Sequence, residues 1–76
     1  MIITHVKLEN GTNLALGDSI LVEYKPIIDD EEAKEPITKE ITIGAFKPYE
    51  DGSGDVWIVS LNGNEVFADS NFVKQI

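Results

Sequence analysis

The sequence predicts a single all-β domain over residues 1–76. β-Branched and aromatic residues recur in short runs that alternate with polar residues, a pattern typical of half-buried strands. The turn-forming pairs Asn10-Gly11, Gly17-Asp18 and Asn62-Gly63 separate several of these runs. No stretch has the periodicity of a helix of ordinary length, so strands are expected to form the core.

The N-terminal part of the chain predicts a hairpin and a further strand. Residues 2–8 alternate between the two faces of a strand, and residues 12–16 return after the turn at Asn10-Gly11. Residues 20–25 follow the turn at Gly17-Asp18 and alternate in the same way. These three runs account for the β pattern before the first proline.

Residues 26–36 form an inserted acidic loop between two prolines. Five of its side chains are acidic: Asp29, Asp30, Glu31, Glu32 and Glu35. Two conformations are open at this point. Asp29 or Asp30 can cap one or two helical turns, with acids near the positive end of the dipole. A disordered loop fits the composition equally well.

The C-terminal half predicts four strands and one helical turn. Residues 37–46 resume the β pattern, and residues 47–54 form a loop with proline and glycine. Asn62-Gly63 is expected to supply the two positive φ angles of a two-residue hairpin turn. Side chains of Asp69–Asn71 are expected to cap a single helical turn before the last strand. The strands on either side of these turns cover residues 56–61, 65–68 and 72–76.

Charge and composition restrict the classes of function. The chain has 14 acidic residues and six basic ones, all lysine, and its net charge is −8. Proteins that bind nucleic acid carry a basic face, so direct binding of DNA or RNA is not expected, whereas basic protein partners are favoured. No apolar run approaches the about 20 residues of a membrane span, and no leader segment is evident, so we expect no membrane partner and a cytoplasmic location.

No catalytic or metal-binding pattern is evident. His5 is the only histidine, and there is no cysteine to form a metal site or a nucleophile pair with it. Residues 51–55 resemble a calcium loop only faintly, because Val56 and Asn62 stand where such a loop needs glycine and glutamate. The sequence therefore predicts a protein that is not an enzyme and has no metal or cofactor.

Several segments resemble Src-homology-3 domains. The segment Leu14-x-Leu16-Gly17-Asp18-x-Ile20-x-Val22 is similar to their diverging turn. Asp55–Val59, Asn62-Gly63 and Phe67–Val73 resemble their last three strands and the helical turn between them. The order of elements is also similar to that of Tudor-like barrels. Over residues 14–76 the resemblance implies a small five- to six-stranded barrel with an added N-terminal hairpin and one short helical turn before the last strand.

The residues that carry ligand binding in these families are only partly present. The groove tryptophan, proline and tyrosine of Src-homology-3 domains fall on Val56, Asp69 and Phe72, and only Asn71 matches. Binding of proline-rich peptides is therefore not expected. Tudor-like domains hold methylated side chains in an aromatic cage. The residues that can supply walls for such a cage here are Tyr24, Phe46, Tyr49 and Trp57.

Both faces of the strand at residues 56–61 are apolar, which predicts a contact surface. The barrel resemblance places Trp57, Val59 and Leu61 inward or at the barrel edge, so Val56 and Ile58 are expected to point outward. Scattered exposure is the alternative, because single exposed apolar residues are common. A contiguous patch would instead be a binding surface. The candidate binding residues are Tyr24, Phe46, Lys47, Tyr49, Val56 and Ile58.

These observations favour a non-enzymatic binding module that occupies a partner protein or sequesters a small ligand, as a homo-oligomer. In size and fold it resembles small inhibitors encoded by phages and mobile elements. One alternative is an acidic mimic of nucleic acid, because residues 29–40 hold six acids and two lysines, a net charge of −4. Another alternative is a Tudor-like reader with an aromatic cage.

Overall fold

The computed structural model describes residues 2–76, which contain nine strands and one 3₁₀ turn. The elements, in chain order, are β1 (His5–Lys7), β2 (Asn13–Ala15), β3 (Ser19–Tyr24), β4 (Ile27–Ile28), β5 (Glu31–Glu32), β6 (Ile37–Pro48), β7 (Val56–Ser60), β8 (Val66–Ala68), the 3₁₀ turn (Asp69–Asn71) and β9 (Phe72–Gln75).

The main sheet has five strands in the order β8-β7-β6-β3-β9, and each neighbouring pair is antiparallel. β1 pairs with β2, and β4 pairs with β5, as two separate two-stranded sheets. β8 and β9 are the edges of the main sheet and do not pair with each other, so the sheet is open. The all-β class predicted from the sequence is confirmed.

The core lies on one face of the main sheet. Phe46, Ile58 and Phe67 stand in register across β6, β7 and β8, so their side chains form one row on this face. Leu14 of the N-terminal hairpin is also buried there, which fixes the hairpin against the sheet. The buried residues of the core are Leu14, Ile20, Val22, Ile41, Ile43, Phe46, Val56, Ile58 and Phe67.

This core contradicts most of the predicted faces of β7, although Val59 is buried as predicted. Val56 and Ile58 are buried, and so is Phe46, whereas Trp57 is 39% and Leu61 71% exposed. Alternation along a strand shows only which residues share a face. The face that becomes the inside is decided by the neighbouring strands, and here β6 places Phe46 opposite Ile58. The prediction that Val56, Ile58 and Phe46 form an exposed surface is therefore wrong.

The β7–β8 turn closes the predicted hairpin with a different geometry. Ser60 N donates to Glu65 O, so four residues rather than two form the loop. Gly63 has a φ of 76°, and it is the only residue of the loop in the left-handed region. The Asn62 side chain stabilises the loop, because its Oδ1 accepts from Ser60 Oγ at 2.6 Å and from the Asn64 amide at 2.9 Å.

The predicted helical turn before the last strand is confirmed at Asp69–Asn71. The Asn71 side chain holds it in place from both directions. Its Oδ1 accepts from the Ala68 amide at 3.1 Å, and its Nδ2 donates to the backbone carbonyl of Glu23 at 2.9 Å. The turn is thereby attached to β3 as well as to β8.

Residues 26–36 contain a β-hairpin, formed by β4 and β5, which neither of the two predicted conformations anticipated. We call this segment the acidic hairpin. Ile28 pairs with Glu31, so Asp29-Asp30 is a two-residue turn. Both residues have positive φ, 53° and 65°, as a type I′ turn requires. Asn-Gly is the usual sequence for this turn, and aspartate is among the few other residues that tolerate the left-handed region.

Candidate functional site

The structure separates the residues that were predicted to form one binding surface. Phe46, Val56 and Ile58 belong to the core. Lys47 is exposed and Tyr49 half-buried, and both border one depression together with Trp57. Tyr24 is half-buried and borders a different depression. Only Lys47 and Tyr49 of the predicted set therefore meet on the surface, and they meet beside Trp57, which was predicted to lie inward or at the barrel edge.

Tyr49 and Trp57 form a stacked aromatic pair at the end of the β6–β7 hairpin. Their ring centroids are 4.4 Å apart and their planes differ by 16°. The pair arises from the strand register, because Pro48 stands opposite Val56 and the Tyr49 amide donates to Asp55 O at 3.0 Å. Trp57 remains 39% exposed, so solvent reaches an aromatic surface that no core residue covers.

Three carboxylates act electrostatically on Tyr49 of this pair, and one of them, Asp51, lines the same depression as both rings. Partial burial raises the pKa of the Tyr49 hydroxyl, and the negative charges of Asp69, Asp55 and Asp51 raise this pKa further. Hydrogen bonds with the Ser53 backbone and side chain hold the pKa of the Asp51 carboxyl below its ordinary value. We call the surface formed by Tyr49, Trp57, Asp51, Asp55 and Asp69 the acidic aromatic face.

A cleft of about 370 Å³ adjoins the acidic aromatic face. Asp55 and Asp69 line it and also act on Tyr49, so the two features share these carboxylates. Glu9, at the tip of the N-terminal hairpin, contributes a third carboxylate to the lining. The position of Asp69 is fixed in part by its Oδ2, which accepts from the Val56 amide at 3.4 Å. The carboxylates give this region a negative electrostatic potential.

The four aromatic residues that could supply the walls of a cage do not line one common site. Tyr24 packs edge-on against Phe67, with ring centroids 5.1 Å apart and planes at 61°. Phe46 is buried. Tyr49 and Trp57 alone are stacked against each other. These residues therefore form one two-ring surface rather than a four-walled cage.

The sequence did not predict that these acids lie beside the aromatic pair. In the sequence, Asp51 and Asp55 belong to a faint calcium-loop pattern, Asp55 and Asp69 to the segments that resemble Src-homology-3 domains, and Asp69 also to a predicted cap, but none of the three was predicted to be part of a binding surface. The sequence does contain an indication of this arrangement, because Tyr49 and Trp57 flank a glycine-containing loop that carries Asp51 and Asp55. Residues at the two ends of such a hairpin loop lie side by side on neighbouring strands.

The described residues show no metal-ligand constellation. His5 is exposed and its Nδ1 is 2.7 Å from Thr4 Oγ1. Over residues 2–76, no three histidine, cysteine, aspartate or glutamate side chains lie where they could hold a metal ion together. The same residues contain no helix with the length and apolar character needed to cross a membrane.

Comparisons with known proteins give no assignment. No family model matches the sequence. No curated protein and no solved structure is similar to it at a significant level. The functional argument therefore depends on the fold and on the contacts of the acidic aromatic face.

Proposed function

We propose that this chain is a non-enzymatic binding module that binds a lysine- or arginine-bearing segment of a partner protein at the acidic aromatic face. The stacked Tyr49–Trp57 pair with its three neighbouring carboxylates is the observation that carries the proposal. By occupying that segment the module would act as an inhibitor of the partner.

We further infer that the architecture is a Src-homology-3-like barrel. The order of elements supports this inference, since four strands of the main sheet follow one another and a single helical turn precedes the fifth. The N-terminal hairpin is then an addition that packs on the same core. Such small β domains serve many unrelated functions, so the ligand must be argued from the site.

The chemistry of the site favours a cationic group. A lysine ammonium or an arginine guanidinium over the face of an aromatic ring gains about 0.5–1 kcal/mol at an exposed site. Carboxylates beside the rings add attraction that is screened by salt. The net charge of −8 accelerates encounter with a basic partner and opposes association of identical copies. A basic hetero-partner is thus a better ligand than a second copy of the chain.

Trp57 is the only tryptophan, so its fluorescence reports directly on this surface. The probes are a lysine–glycine peptide and its glutamine–glycine counterpart of equal length. We expect the lysine peptide to change Trp57 emission with an affinity that falls as salt increases, and the glutamine peptide to cause no change. Tyr49→Leu should weaken binding by about 2–5-fold, the loss of one cation–π contact.

Two further variants make this test specific. Asp55→Asn with Asp69→Asn should weaken binding and reduce its dependence on salt, because two of the three carboxylates lose their charge. Leu61→Ser is the matched control, since Leu61 is exposed and does not belong to the acidic aromatic face. Equal binding of both peptides, or an affinity unchanged by Tyr49→Leu, would show that the proposal is wrong.

A further inference from the structure

The acidic hairpin exposes apolar side chains on both of its faces. β4 and β5 pair only with each other and are not part of the main sheet. Ile27 is 74% and Ile28 is 62% exposed. Successive residues of a strand point to opposite sides, so neither side of this hairpin is covered. A two-stranded hairpin without a covered face is only marginally stable in water.

The backbone of the hairpin is also strained at its tip. Asp29 and Asp30 both occupy the left-handed region, where residues other than glycine are uncommon. Strain of this kind is concentrated at sites that bind or switch. The left-handed backbone at the tip and the exposed isoleucines beside it favour an element whose apolar side chains are covered by a bound partner.

The charge of the hairpin indicates which partner is complementary. Its five carboxylates outnumber the single lysine, Lys34. The ion pair observed among residues 2–76 joins Lys39 to Glu65, outside the hairpin, so the hairpin acids are not neutralised by a neighbouring lysine there. A second copy of this chain would bring the same acids against them. A surface with positive charges around an apolar depression would match both features.

We propose that the acidic hairpin is a docking element that enters an apolar cleft ringed by lysine or arginine on a partner protein, so that Ile27 contacts one wall of the cleft and Ile28 the other. This contact is separate from the acidic aromatic face. Glu32 borders a depression with Tyr24 and Asn71, whereas Asp69 and Ser70 border the cleft beside Tyr49. The 3₁₀ turn lies between the two regions, so one partner can reach both, but neither requires the other.

The test compares two cationic peptides with the same number of lysines. In one, leucine alternates with lysine and provides an apolar strip between charges; in the other, glycine replaces leucine. We expect the leucine–lysine peptide to bind about tenfold more tightly, and to shift the backbone amide resonances of residues 26–36. Ile27→Ser with Ile28→Ser should abolish this tenfold advantage while the resonances of the main sheet stay in place.

Charge variants and a control complete the design. Glu31→Gln with Glu32→Gln should weaken binding and reduce its salt dependence, whereas Tyr49→Leu should leave the tenfold advantage intact, which separates this proposal from the previous one. Leu61→Ser serves as the control for loss of an exposed apolar side chain. Equal affinity for the two peptides, or an advantage that persists in the isoleucine variant, would overturn the proposal. The proposal would also be overturned if the unchanged protein sediments as a dimer and the isoleucine variant sediments as a monomer.

Discussion

Ile58→Ala tests the assignment of the inner face of β7 most directly. Ile58 is fully buried, in register with Phe46 on one side and Phe67 on the other. The barrel resemblance predicts that this side chain is exposed, and an exposed isoleucine could be shortened at little cost. The two assignments therefore differ in a measurable free energy of unfolding.

The expected loss follows from the atoms removed. Ile→Ala deletes three carbon atoms, worth about 2.5 kcal/mol at about 0.8 kcal/mol for each buried methylene. The cavity left between Phe46 and Phe67 adds to this, and buried Ile→Ala changes cost about 2–5 kcal/mol in total. A chain of 76 residues has a free energy of unfolding of about 4–11 kcal/mol. The variant should therefore lose a large part of its stability.

Urea unfolding followed by circular dichroism and by Trp57 fluorescence measures this loss. The midpoint should fall at an unchanged slope, and the melting temperature should fall by more than about 10 °C, since 1 kcal/mol corresponds to about 4–8 °C at this size. Leu61→Ala is the control, because Leu61 is 71% exposed, and its cost should stay within about 0.5 kcal/mol. If Ile58→Ala costs less than about 1 kcal/mol, the assigned core face is wrong.

Three further changes test other parts of the structure. Gly44→Ala should destabilise the fold by about 1–3 kcal/mol in urea unfolding, because a Cβ there would lie 2.6 Å from the Leu61 Cα, which is backbone and cannot rotate away; a loss below about 0.5 kcal/mol would contradict this close approach. Asp69→Asn should lower the pKa of Tyr49 towards its ordinary value, because it removes a negative charge that raises this pKa. If the pKa of Tyr49, followed by its ring signals in NMR, does not change, then Asp69 does not act on Tyr49. Replacing Asp29-Asp30 by Asn-Gly should stabilise the acidic hairpin by about 1 kcal/mol and slow its amide exchange, since both positions have positive φ; faster exchange would refute the turn assignment.

Local turn chemistry predicted much of the fold. Asn10-Gly11 closes the N-terminal hairpin, where the Gly11 amide donates to Leu8 O. Gly17-Asp18 forms the next turn, in which Asp18 Oδ2 accepts from the Ala15 amide. Asp69–Asn71 forms the 3₁₀ turn. These features depend on residues close in sequence, so their side chains and φ preferences are sufficient to indicate them.

The features that the sequence did not predict depend on distant neighbours. β7 is apolar on both faces, and only the register with β6 and β8 decides that Ile58 is inside and Trp57 outside. The acidic hairpin was missed because Asp-Asp is an unusual sequence for a two-residue turn and the flanking strands are two residues long. The acidic aromatic face was missed because Asp69 meets Tyr49 only after the main sheet has formed.

The position of β9 has a consequence for folding kinetics. β7 and β8 each pair with the strand directly before them, and β6 pairs with β3 across the acidic hairpin, so these three pairs join segments that are close in sequence. β9 instead returns to β3, and Gln75 donates to Asn13 O across 62 positions of sequence. Closing so long a loop costs chain entropy before any contact compensates for it. We therefore expect β9 to dock late, and folding to take milliseconds to seconds, as in other β domains rich in long-range pairs. During synthesis, the hairpins of β6–β8 can form on the emerging chain, but β3 keeps an unpaired edge until β9 has left the ribosome.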